Sequence, residues 1–273
     1  MLKFGFKSVY AVFLPKILRK IMKKILCTLL FAFVILGTPY QALAQAFITE
    51  WITTTGNITI PTTGGGYNYN VSYRQILPTI GGTTTLTGQT GNCTITGLTN
   101  GNTYEVSITG TFPRIFFSGS AAERPKIRNI KQWGNIAWSS MSSAFTGCVN
   151  LNSNATDAPN LSGVTDMTAM FQGCTIFNGD IGSWSTSTIT TMNNTFRAAV
   201  AFNQNIGTWN TGNVTNMSAM FLGATAFDQN IGTWNTGNVT DMSFMFNNAT
   251  AFNQNIGTGT WNTANVANMR DMF

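Results

Sequence analysis

The chain has no histidine at all, few charged residues (9% of 273), and only four cysteines and seven prolines. Each shortage excludes something. Without histidine there is no His-dependent catalytic triad, no imidazole general base and no ordinary zinc site. The sparse acids, Asp157, Asp166, Asp180, Asp228 and Asp241 among them, fall in unrelated positions, so they offer no recurring carboxylate pair for glycoside chemistry. Cysteine is short in a telling way. Cys27 lies in an apolar run near the start, which leaves Cys93, Cys148 and Cys174, an odd number that argues against a disulfide framework. No enzyme, cofactor or metal chemistry is expected from these residues.

The net charge of +6 is unevenly placed. Seven of the fifteen basic residues (Lys3, Lys7, Lys16, Arg19, Lys20, Lys23 and Lys24) precede the first acid, Glu50. From Phe47 onward 8 basic residues face 9 acidic ones, so the body carries about −1 and has no electrostatic footprint for a phosphate backbone. Nucleic acid is therefore not an expected partner. Read from Met22, the front of the chain has the parts of a secretory leader: Lys23-Lys24, an apolar run from Ile25 to Leu36, a break at Gly37-Thr38-Pro39, and small residues for cleavage after Ala44 or Ala46. The run is shorter than the roughly 20 residues a membrane helix needs. The expected picture is a leader over 1–46 with its start at Met22, a secreted or cell-surface product, and no transmembrane span once the leader is removed.

The strongest pattern is a repeat. Phe171, Phe196, Phe221, Phe246 and Phe273 recur at intervals of 25, 25, 25 and 27, and Met167, Met192, Met217, Met242 and Met269 keep the same step. Phe177, Phe202, Phe227 and Phe252 follow, with Ile181, Ile206, Ile231 and Ile256, and with Trp184, Trp209, Trp234 and Trp261. Within one unit, Phe202–Ile206 alternates apolar and polar residues as an extended strand does. Asn210-Thr211-Gly212-Asn213 is turn chemistry. Val214, Met217, Met220 and Phe221 then have the spacing of a short helix or 3₁₀ turn with one buried face. A single unit has too few apolar side chains to offset the ordering of 25 backbones, so neighbours must stack to seal one another's faces. Strand, turn and short helix in 25 residues is the grammar of a leucine-rich-repeat-like solenoid.

The runs FNQNIGTWNTGNVTNMSAMF and FNQNIGTGTWNTANVANMRDMF resemble the repeat of BspA-like bacterial surface proteins, also seen in mycoplasma-type lipoproteins, and QWGNIAWSSMSSAFTGCVNLN (132–152) resembles the segment that opens such arrays. The resemblance covers roughly 123–273. It implies an exported adhesin or interaction protein without catalytic residues. The acidic position of that pattern is Asn at 205, 230 and 255 and stays acidic only at Asp180, which weighs against a charged or metal-dependent ligand.

Between leader and repeats the texture changes. Short β-branched runs at Phe47–Thr53, Asn57–Ile60, Tyr67–Tyr73, Thr83–Thr87, Cys93–Leu98 and Tyr104–Thr111 are separated by glycine-rich turns, which predicts a β-sandwich over 47–118. LTNGNTYEVSITG resembles the closing hairpin of PKD-like or fibronectin-type (Ig-like) domains. Residues 119–147, with Glu123, Arg124, Lys126, Arg128 and Lys131, read as a linker and cap, and 148–273 as the repeat array. The expected class is mainly β with short helices.

Cys148 and Cys174 take the place that Ala199, Ala224 and Ala249 hold in later units, so they read as small buried residues with free thiols rather than a bridge. Two polar columns remain. Asn178, Asn203, Asp228 and Asn253 form one; Asp180, Asn205, Asn230 and Asn255 form the other. They are either a coil-to-coil amide ladder or a face that recognises an extracellular protein or glycan. The alternatives to binding are a structural stalk and the non-catalytic part of a larger glycan-active enzyme. The last unit ends on Phe273 with no polar cap after it, so further repeats or a sorting domain are expected beyond it and the last coil should lie bare.

Overall fold

In the computed structural model, residues 45–257 and 260–273 are described, and 44–273 form one compact unit. The expected leader and the cleavage position at Ala44 lie outside the described residues. Ala46 lies inside them, its carbonyl accepting a 3.0 Å hydrogen bond from Gln132 Nε2.

The region after the leader is built from period-two strands: β1 (Phe47–Ile52), β2 (Ile58–Ile60), β3 (Asn68–Leu77), β4 (Thr84–Gln89), β5 (Cys93–Ile95) and β6 (Thr103–Thr111). All six coincide closely with the alternating runs of the sequence. Two further strands, β7 (Ile127–Gln132) and β8 (Asn152–Ser153), were not expected. They complete a six-stranded sheet in the order β4-β3-β6-β1-β7-β8, while β2 and β5 pair separately. Every pairing is antiparallel except β7 with β8. Alternate residues of β1 and β6 turn inward, so Phe47, Trp51, Tyr104, Val106 and Ile108 are buried. The sheet therefore runs without a break from the N-terminal strands, through the charged stretch, to the first repeat.

Strand β7 escaped the sequence reading because the charges in and before it suggested a linker. Within the strand Lys131 pairs with Glu105 at 2.8 Å, and just before it two more charges are tied down. Glu123 and Lys126 are both buried and paired at 2.8 Å. Lys126 Nζ also donates to Asn57 Oδ1 at 2.9 Å, and Glu123 Oε2 accepts the Thr59 N–H at 2.9 Å. Buried charges survive only when paired and hydrogen-bonded in this way.

From 139 on, successive coils stack in register. Phe145, Phe171, Phe196, Phe221, Phe246 and Phe273 form a continuous stack with centroid spacings of 5.6–5.9 Å. A second stack of Phe177, Phe202, Phe227 and Phe252 packs beside it, with in-coil spacings of 3.9–4.1 Å. Each tryptophan closes the coil below: Trp209, Trp234 and Trp261 donate their indole N–H to the carbonyls of Ile181, Ile206 and Ile231 at 3.0, 3.0 and 2.8 Å. Phe273 stacks on Phe246 and is 71% exposed.

Two expectations fail here. No helix occurs among the described residues, although Met217, Met220 and Phe221 are buried as the spacing required. The reason lies in where the N–H groups go. Met217, Ala219, Phe221 and Gly223 donate outward to Asp241, Ser243, Met245 and Asn247 of the next coil, at 2.8–2.9 Å. Met220, Leu222 and Ala224 donate back three residues, to Met217, Ala219 and Phe221. A helix keeps all its bonds to itself; this segment spends every second one on its neighbour. The alternation bends the backbone into the left-handed region at Ser143, Ala169, Asn194, Ala219, Phe244 and Asp271, with φ of 49–58°. The extended strand expected over Phe202–Ile206 is also absent. The parallel bridges sit elsewhere, one residue per coil, at Asp166, Thr191, Asn216, Asp241 and Asn268.

Candidate functional site

The polar columns sit between the buried phenylalanine, isoleucine and tryptophan positions, and the side chains of the two columns do different work. In the first, Asn178 Oδ1 accepts both the Asn203 N–H (2.9 Å) and Gln204 Nε2 (3.0 Å). Asn203 Oδ1 accepts the Asp228 N–H and Gln229 Nε2 at 2.9 and 2.8 Å, and Asp228 Oδ1 accepts the Asn253 N–H and Gln254 Nε2 at 2.9 and 2.8 Å. This is a coil-to-coil ladder in which a side-chain oxygen replaces the carbonyl of a strand partner. The Asn253 N–H first, then the Gln254 amide, hold the Asp228 carboxyl below its ordinary range.

The second column turns inward on its own coil. Asp180, Asn205, Asn230 and Asn255 each accept, through Oδ1, the N–H of the glycine two residues on: Gly182, Gly207, Gly232 and Gly257, at 2.9–3.0 Å. These Asx turns spend the oxygen and leave the amide nitrogens of Asn205, Asn230 and Asn255 without a partner among the described residues, on exposed side chains. The same turn recurs at Asn210, Asn235 and Asn262. Asn213, Asn238 and Asn265, in contrast, give their amide N–H to Ser187, Gly212 and Gly237 of the coil below at 2.6–2.7 Å.

The glycines of the second column are fixed by proximity. A Cβ on Gly182, Gly207 or Gly232 would lie 2.6, 2.5 or 2.9 Å from the carbonyl oxygen of Asn205, Asn230 or Asn255. The threonines that follow tie the same rim together: Thr208 and Thr233 donate to the carbonyls of Gly182 and Gly207 at 2.7 and 2.8 Å. Asp180, Gly182, Ser183, Gln204, Asn205 and Thr208 line a shallow depression of about 360 Å³ between two coils. The sequence reading named Asp180 and Asn205 in this wall but passed over Gln204, Thr208 and Ser183. Their signal was available, since Gln recurs at 229 and 254 and Thr at 233.

No group of three or more acidic or cysteine side chains able to hold a metal occurs among the described residues. The thiols of Cys93, Cys148 and Cys174 are free and buried, and Cys174 Sγ lies 3.0 Å from the Phe145 carbonyl. Burial pushes all three thiols above their usual range, so each is a poor nucleophile. No described helix is long and apolar enough to cross a membrane.

A family model described as a Mycoplasma protein of unknown function, DUF285, matches residues 116–216, 139–256 and 204–273, overlapping spans that take in the whole repeat region and more than half of the chain. No curated protein and no solved structure matches.

Proposed function

Because the chain belongs to the family described as a Mycoplasma protein of unknown function, DUF285, we propose that it is an exported, non-catalytic surface protein that binds an extracellular protein or glycan through the polar face of its repeats. In this reading the repeats are a leucine-rich-repeat-like solenoid of the BspA-like kind, the N-terminal strands are a sandwich-like domain that supports it, and residues 1–46 are a secretory leader. The register of 25-residue coils and the alternating N-terminal strands support the architecture. One observation carries the function: the unpartnered amide nitrogens of Asn205, Asn230 and Asn255 stand in a row on exposed side chains whose oxygens are already used. Buried or bonded amides stabilise; a solvated, oriented donor is free to recognise.

A purely structural stalk is the second reading, favoured by the ladder through Asn178, Asn203 and Asp228. The two readings separate on Asn205→Ser/Asn230→Ser, which removes two free amide donors without adding charge beside Asp180, while the serine oxygens can still accept from Gly207 and Gly232. Affinity of the chain for immobilised extracellular proteins and glycans should fall about thirtyfold, as two lost hydrogen bonds of about 1 kcal/mol each predict. Unchanged retention would favour the stalk.

A further inference from the structure

We infer that the ligand is a neutral, extended β-1,4-linked glycan lying along the stack, one sugar ring to each coil; this rests on the binding reading above. Four features of the face point to it. The first is charge. Residues 148–273 contain two basic residues, Arg197 and Arg270, against six aspartates, and the depression itself holds no cation. Phosphate, sulfate and carboxylate polymers find nothing there to neutralise them.

The second is the kind of hydrogen bonding on offer. Each coil presents a spare amide N–H₂ (Asn205, Asn230, Asn255), and beside it a glutamine whose Nε2 is spent in the ladder while its Oε1 has no partner among the described residues (Gln204, Gln229, Gln254). A sugar hydroxyl is at once donor and acceptor, and a fixed donor next to a fixed acceptor is its complement. Thr208 and Thr233, with their hydrogens committed to carbonyls, add acceptor lone pairs at the same rim.

The third is pitch. Parallel bridges at Thr191, Asn216 and Asp241 set the coils at strand spacing, about 4.8 Å. That is close to the rise of one ring in an extended β-1,4 chain; successive rings are turned about 180° to one another, so the same sugar edge returns at every second coil, in register with the repeated groups. An extended peptide advances about 3.3 Å per residue, or roughly 6.6 Å per two-residue repeat, and loses register within two coils.

The fourth is rigidity. The oxygens of Asn205 and Asn230 are held in their Asx turns and the rim glycines leave no room for a side chain, so the donors are oriented before any ligand arrives.

The test is calorimetry of the full chain with cello-oligosaccharides and chito-oligosaccharides of two to six rings, with maltohexaose as a bent, α-linked control. Affinity should tighten several-fold from two rings to three, matching Asn205, Asn230 and Asn255, and level off beyond. Asn205→Ser/Asn230→Ser, which adds no charge beside Asp180, should weaken the four-ring ligand at least about tenfold with little change in melting temperature. Length-independent binding, equal binding of maltohexaose, or an unaffected double variant each overturns the inference. Binding confined to immobilised proteins and lost in the double variant overturns it too, but leaves the binding function standing. If neither glycan nor protein is retained, both fall.

Discussion

Strand β6 pairs with β1 over six residues and with β3 over nine, whereas in the repeats a coil meets its neighbour through one bridged residue and a series of single bonds. The sheet region holds its backbone by continuous ladders and fastens its surface with charge: Lys131 bridges Glu50 and Glu105 at 3.3 and 2.8 Å, and Arg74 pairs with Glu105 at 2.7 Å. The repeats have a single ion pair among the described residues, Arg270 with Asp271, and hold together by amides, threonine hydroxyls and stacked rings. A column of identical side chains cannot be a column of like charges, because neighbours at strand spacing would repel. Neutral side chains that both donate and accept avoid that repulsion, which is why asparagine, glutamine and threonine dominate here.

This contrast is tested most severely at glycine. Gly207→Ala places a methyl 2.5 Å from the Asn230 backbone carbonyl oxygen, which cannot swing away as a side chain could. It should cost roughly 1–3 kcal/mol and raise amide exchange in the two coils it joins. Gly91→Ala, in the sheet region, meets nothing within 4 Å and should change melting little. Equal effects at the two sites would show that the coils are looser than their contacts indicate.

Ala198 tests the alternating backbone from the opposite side. It sits at φ 55°, where Gly147, Gly173 and Gly223 stand in the corresponding places. Ala198→Gly should therefore stabilise by about 1 kcal/mol, the relief of a left-handed non-glycine residue. In the sheet, Gly substitution within β6, at Val106 for instance, should destabilise instead, through lost packing. Destabilisation by Ala198→Gly would contradict the coil geometry.

The two regions differ in what the sequence could disclose. Strands β1 to β6 were visible because one face is buried and side chains alternate, so period two is written directly into Phe47, Thr49 and Trp51. Strand β7 was hidden because its Lys131 is held by Glu50 and Glu105 of strands distant in sequence, which no local pattern reports. In the repeats the columns were plain and the buried set was right, yet helix was inferred where there is none. Met217, Met220 and Phe221 have helical spacing, and only the direction of the intervening N–H groups distinguishes a helix from a chain of linked turns. The candidate face was half visible: Asn205 and Asn203 look alike in the repeat, and only hydrogen-bond partners reveal that one holds the stack and the other keeps a free donor.

Acid should separate the regions more gently. Burial pushes the Glu105 carboxyl upward, but hydrogen bonds from Lys131 and Arg74 outweigh it and hold it below its ordinary range. A carboxyl lowered on folding lends stability above its unfolded pKa and loses it as pH falls through the folded value. The sheet region should thus weaken as pH drops below the carboxylate range. In the repeats Asp228 contributes the same kind of slope. Asp228→Asn, which keeps the ladder oxygen but loses the charge, should lower melting slightly at neutral pH and reduce that slope; an unchanged slope in the repeat amides would mean that other carboxyls govern it.

The most direct measurement sets the two polar columns against each other in one experiment, with melting and glycan binding recorded for Asn203→Ala and Asn205→Ser. Asn203→Ala removes the acceptor of two coil-to-coil bonds, to the Asp228 N–H and to Gln229, and should lower stability by about 1–2 kcal/mol. Asn205→Ser should change melting little and weaken binding several-fold, since its hydroxyl oxygen can still accept from Gly207 and the outward amide donor is lost. If Asn205→Ser instead lowers the melting temperature while binding is unchanged, the second column is scaffold and the repeat face is not where this protein meets its ligand.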